Sequence, residues 1–278
     1  MAERMSKRRR TVVSYKEPSD RVVAEEEEED EEEVPEEEET VGDALTVKTY
    51  RARLVRAGKE LYKDPPCLPP AQVAEKPGKK APPPKRDSKT GRFTFADHPE
   101  FKPNLSPEEV LRRGSFGGTY FRAIDSAVTG KRITASEALD ASVPKEWIHD
   151  VPKALLTSST YDATRNRYGV KCGGSLGMWE SSGWISELDP YGAFQWYCRF
   201  FQGRRTTDDQ RQISRFLGVM GDKGRFRTQL MNKCLAAGTS HDDTKISPVI
   251  RQALQHWGYE LTGLDLEAHR KKKARSGK

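Results

Sequence analysis

Apolar residues are distributed unevenly along this chain. Through the first ninety residues they are sparse and show no period. From about residue 91 they gather, and beyond residue 190 they recur at helical intervals. Phe194, Tyr197, Cys198 and Phe201 mark one helix. Ile213, Phe216 and Leu217 mark a second, opened by Asp208 and Asp209 as N-terminal acids, and Phe226, Leu230, Met231 and Leu235 mark a third. A fourth starts at Ser247-Pro248 and presents Val249, Ile250, Ala253, Leu254 and Trp257. Earlier in the chain, Ser106-Pro107-Glu108-Glu109 ahead of Val110 and Leu111 is a helix start, with Gly114 placed to stop it. The aromatic and Thr content of Phe116 to Arg122 predicts a strand, and Pro144 to Ile148 a turn or short helix. Tyr161 to Ile185, rich in Gly, Ser and aromatics, reads as loops and short extended pieces. The predicted class is therefore α+β: one loop-rich domain with a mixed first half and a mostly helical second half.

Composition sets the borders of that domain. Between Glu25 and Glu39 every residue but Val34 and Pro35 is acidic, and the stretch from Asp64 to Arg86 is dense in Pro and Lys. Neither can bury enough apolar surface to offset the entropy of ordering. Residues 1–90 are thus expected to be a disordered arm made of a basic start, the acidic block 25–39 and a Pro/Lys-rich linker 64–86. Residues 91–264 are expected to form the globular module, and 265–278 a basic tail. No run approaches the roughly eighteen apolar residues of a membrane span, and Met1 to Tyr15 lacks the apolar core of a secretory signal. An intracellular protein is expected. Cys67, Cys172, Cys198 and Cys234 are unclustered, which favours thiols over a disulfide framework and gives no structural zinc spacing. No metal and no cofactor is expected.

Charge then points to partners. The acidic block holds 13 of the 42 Asp and Glu, so the net charge of +6 hides a body with 29 acids against 48 Lys and Arg. Such a body attracts polyanions, and a tethered acidic block competes with them or takes basic partners such as histone tails. Arg204, Arg205, Arg211, Arg215, Lys223, Arg225 and Arg227 follow closely on Trp196, Tyr197 and Phe200. Cations interleaved with aromatics suit nucleic acid, because the cations neutralise phosphates and aromatic faces stack on bases. The plainer reading makes the aromatics core and the arginines a solvated face paired with Asp208, Asp209 and Asp222. Gly114-Ser115-Phe116-Gly117-Gly118 has a composition that could cradle a phosphate, or could mark a helix stop with a close backbone approach. For an enzyme with a Gly/Trp-rich cleft the candidates are Cys172, His149, His256, Asp189 and Glu180, whose spacing selects no reaction.

Several longer motifs carry a resemblance. Phe101-Lys102-Pro103-Asn104-Leu105-Ser106-Pro107, Arg113 to Arg122, Tyr168 to Gly173, and Asp189-Pro190-Tyr191-Gly192 through Phe200 resemble a group of eukaryotic proteins of fungi and algae with no assigned activity. The resemblance covers residues 100–260 and implies one folded module; no site residue follows from it. The functional expectation is a nuclear nucleic-acid- or chromatin-associated protein with an acidic regulatory arm. The nuclear assignment rests on the clusters Lys7-Arg8-Arg9-Arg10 and Arg270 to Arg275. The rival is an enzyme of unknown reaction.

Overall fold

The computed structural model describes residues 73–276, so the acidic block and the basic start lie outside the described residues. Two short strands, β1 (Lys85–Arg86) and β2 (Phe93–Thr94), pair antiparallel with Lys85 opposite Thr94. The turn between them is organised by Asp87, whose Oδ1 accepts the Lys89 and Thr90 amides and the Thr90 hydroxyl. Helix α1 (Pro107–Arg112) begins as its sequence requires: the Ser106 hydroxyl accepts the Glu109 amide at 3.1 Å and the Glu109 carboxylate accepts the Ser106 amide at 2.8 Å. A second hairpin, β3 (Ile124–Ser126) and β4 (Lys131–Ile133), leads into α2 (Ala135–Asp140), capped by the same device from Thr134 and Glu137. Two short helices follow, α3 (Lys145–Ile148) and α4 (Leu176–Ser181).

The second half is helical, as expected: α5 (Ala193–Phe201), α6 (Asp209–Met220), α7 (Arg225–Ala236), α8 (Pro248–His256) and α9 (Gly263–Ser276). Helices with two small antiparallel sheets make the α+β class. The core is aromatic. Phe101 is surrounded by Phe95, Trp196, Tyr197, Phe200 and Phe216, with ring centroids 5.3–5.9 Å away. Trp196, Tyr197 and Phe200 are fully buried, so they hold α5 in the core and are not faces for stacking bases. The Trp196 indole N–H donates to Asp209 and the Tyr197 hydroxyl to the Leu105 carbonyl, which satisfies the polar end of each ring. No helix among the described residues is long and apolar enough to cross a membrane.

Three expectations are corrected. Phe116 to Arg122 is not a strand: Phe116–Gly118 forms a 3-10 turn in which Phe116, Gly117 and Gly118 all take positive φ, outside strand geometry. Strand propensity is overridden because neighbouring backbone closes in; a Cβ on Gly118 would meet the Ala154 carbonyl, and one on Gly114 the Arg165 carbonyl. The folded module also starts well before residue 91. Residues 73–81 run as an extended strap along loop 203–207, with Lys76 N–H donating to Arg205 O, Ala81 N–H to Gly203 O and Thr207 N–H to Ala74 O, each at 2.9 Å. Finally, the basic tail from residue 265 is the continuation of α9.

Candidate nucleic-acid interface

The fold separates the seven basic residues that the sequence places together. Arg204 donates from Nη2 to Asp189 at 2.5 Å. Arg205 forks onto Asp97 at 2.7 and 3.0 Å, with its guanidinium 3.8 Å from the centroid of the Phe200 ring. Arg211 makes a two-point contact with Asp208 at 2.5 and 2.6 Å. Arg215 lies between the indoles of Trp184 and Trp257, 5.6 Å from each centroid. Arg227 joins Asp222 and Asp265, both at 2.8 Å. Arg211, Arg215 and Arg227 are buried, and the Arg204 and Arg205 side chains are only 12% and 11% exposed. Lys223 and Arg225 are the two that stay exposed. The basic face expected around Arg204 to Arg227 is thereby corrected: most of its charge is engaged inside the protein, where a guanidinium must be paired to be tolerated.

The acids bear the mark of this pairing. The Arg205 hydrogen bond holds the Asp97 carboxyl below its ordinary value despite partial burial. Burial works to raise Asp265, but hydrogen bonds from Tyr259 and Thr262 and the charges of Arg227 and Arg92 outweigh it and leave the carboxyl low. At Asp189 the balance goes the other way, since burial prevails over two arginines and the carboxyl is raised.

Exposed cations gather elsewhere. Asp265, in the first turn of α9, accepts from Arg92, Arg227, Tyr259 and Thr262, and one turn on His269 Nε2 meets Asn232 Oδ1 at 2.8 Å. These contacts fasten the start of α9 along α7, with Leu266 buried between them and the core. Beyond them Arg270, Lys271, Lys272, Lys273 and Arg275 are all exposed on ordered helix, and no acid follows Glu267. Arg270 pairs with Glu267 at 2.8 Å. The strap and first hairpin add exposed Lys76, Lys79, Lys80, Lys85 and Lys89. Sequence reasoning missed that α9 carries its charge on a docked helix; the signal was Thr262 three residues before Asp265, with Leu266 next to it, which is a helix start anchored to a core.

The glycine loop is occupied by the protein itself. The amides of Gly114, Phe116, Gly117 and Gly118 donate to Leu111 O, His256 Nε2, Asn166 Oδ1 and Ser115 O. It is a close-packed backbone crossing in which these four amides are taken by the protein's own acceptors. The proposed catalytic groups also have structural tasks. His256 is buried and stacked on Phe116 at 4.0 Å, and Glu180 accepts the Ala127 amide at 2.9 Å. Cys172 is buried with Sγ 3.8 Å from Val249 O, Asp189 holds two arginines, and His149 is exposed beside Asp150. Cys198 and Cys234 are buried thiols, and burial pushes the Cys198 thiol far up, out of any nucleophilic range. A concavity of about 310 Å³ opens between the first hairpin and residues 260–262, lined by Arg86, Asn104, Arg113, His241 and Glu260. It lies on residues other than the Gly- and Trp-rich segment. The described residues bring no three His, Cys, Asp or Glu together in a metal-binding group. No protein family, no curated protein and no solved structure matches the chain.

Proposed function

We propose that the folded module is a polyanion-binding unit whose natural ligand is nucleic acid, engaged through the exposed cations of α9 and the basic strap and hairpin. The observation that carries this reading is the second half of α9. Five cations stand there on an ordered helix with no acid after Glu267, whereas the arginines of the 204–227 segment are largely consumed by buried acids. Exposed Lys and Arg on a helix meet phosphates at the surface, where a solvated pair such as Arg270 with Glu267 is weak and readily exchanged. In this reading the acidic block Glu25 to Glu39 regulates by competing for the same cations, or recruits basic partners such as histones. The two basic clusters at either end serve nuclear import, which a fluorescent fusion with and without each cluster tests.

The binding test compares the full chain with a Lys271→Gln, Lys272→Gln, Lys273→Gln variant by fluorescence anisotropy on single- and double-stranded oligonucleotides at two salt concentrations. For each phosphate that the variant no longer neutralises, the slope of log affinity against log salt should fall by roughly one. Equal affinity and equal slope in the two proteins would remove α9 from the interface. An absence of salt-dependent binding in either would remove the reading altogether.

A further inference from the structure

Most buried charge in this protein is balanced. Arg211 meets Asp208, Arg205 meets Asp97, and Arg92 and Arg227 share Asp222 and Asp265. Around Asp189 it is not. Asp189, whose side chain is 2% exposed, is the sole carboxylate within ion-pair distance of both Arg199 and Arg204, among the described residues. Two guanidinium charges thus face a single carboxylate. The carboxylate is fully used: Oδ1 accepts from Arg199 at 3.1 Å and Oδ2 from Arg204 at 2.5 Å.

The donors are not fully used. Arg199 places Nε on Ala141 O at 3.0 Å and Nη1 on Leu188 O. Arg204 engages only Nη2; its Nε and Nη1 are buried and have no hydrogen-bond partner among the described residues. Ser186 adds another such group. It pairs with Asp189 through an isolated antiparallel bridge, and its buried hydroxyl is unpartnered as well. Buried donors left without acceptors are costly, and so is an excess positive charge away from water. A water molecule would answer the first demand but not the second.

We propose that this centre binds a small monovalent anion, of the halide class, as an internal counter-ion. A halide suits the setting because it accepts hydrogen bonds from any direction, so guanidinium N–H groups and a hydroxyl can share it without the fixed geometry a carboxylate needs. Phosphate and sulfate are more strongly hydrated, so taking them out of water costs more. The anion would hold the Asp189-Pro190-Tyr191-Gly192 turn against the end of α5 and loop 203–207, which is where Arg199 and Arg204 originate.

The test uses the full chain and chloride itself. Thermal unfolding is followed in sodium chloride and in sodium gluconate at matched ionic strength, and chloride-35 line widths are measured and then challenged with bromide. The expected result is a saturable rise in Tm with chloride that gluconate does not reproduce, and excess line broadening that bromide reverses. Ser186→Ala, which removes a donor and no charge, should weaken the halide effect about fivefold. Equal Tm in the two salts, or broadening unchanged in Ser186→Ala, would overturn the proposal; the second outcome would place the bound halide on the basic surface instead.

Discussion

Burial leaves the His256 imidazole one tolerable charge state. Its Nε2 faces the Phe116 amide at 3.1 Å and the Gln252 side-chain nitrogen at 3.0 Å, so the ring is neutral, accepts at Nε2 and carries its proton on Nδ1. Desolvation lowers its pKa from 6.5 to about 3. Between those values the unfolded chain binds a proton that the folded protein refuses, so stability is complete above pH 6.5 and declines as pH falls toward 3. The expected loss is about 2 kcal/mol by pH 5, a window above the ordinary range of carboxylates. His269, also lowered by partial burial and by Lys273 and Lys272, adds in the same direction. Urea midpoints at pH 7 and pH 5 measure the loss, and His256→Gln should flatten most of it; an unchanged slope would assign it elsewhere. The interior arginines give a second prediction at this scale. Arg211→Ala leaves the Asp208 carboxylate buried without its cation and should cost about 3–5 kcal/mol, whereas Arg225→Ala, at an exposed position, should stay within about 0.5 kcal/mol. Similar urea midpoints for the two variants would contradict the interior placement of Arg211.

Among the elements, the strap of residues 73–81 and strand β1 are held largely by backbone. A chain beginning at residue 91 lacks the hydrogen bonds from Lys76, Ala81 and Ala74 to loop 203–207, the β1–β2 pairing, and the ion pair of Arg86 with Glu109. It should be about 2–5 kcal/mol less stable than one beginning at residue 73, at roughly a kilocalorie for each of several bonds. Limited proteolysis should accordingly stop near Val73; a resistant core starting at Gly91 with undiminished stability would show the strap to be superfluous. The strap also explains where sequence reading succeeds and where it stops. Helix α1 is legible through its capping box of Ser106 and Glu109, and α5 to α8 through apolar residues at helical spacing, because both report local physics. Residues 73–86 are misread because pairing through backbone amides leaves no trace in composition, and Pro and Lys there look like linker. Phe116 to Arg122 is misread because strand propensity says nothing of the Ala154 and Tyr161 groups that press on Gly118 and Gly117. The arginine cluster is half legible: Asp208 and Asp222 lie near in sequence, but Asp97, Asp189 and Asp265 reach it only through the fold.

At the scale of the whole molecule, the proposed function depends on which charges are left over once the fold has used its own. Interior pairing withdraws Arg204, Arg205, Arg211 and Arg227 from the surface, and the cations that remain on α9, the strap and the hairpin are those a polyanion can reach. The acidic block supplies 13 negative charges on the same chain. In the proposed reading the block competes for the same cations that a polyanion would use. Deleting residues 25–39 should therefore tighten oligonucleotide binding by about tenfold near 50 mM salt. The gain should shrink toward nothing by roughly 300 mM, because both the block and the nucleic acid act through charges that added ions screen. Anisotropy titrations of the full and deleted chains across that range decide it. A gain that persists undiminished at high salt would mean that the block acts by some means other than charge, and weaker binding after deletion would mean that it helps to hold the ligand.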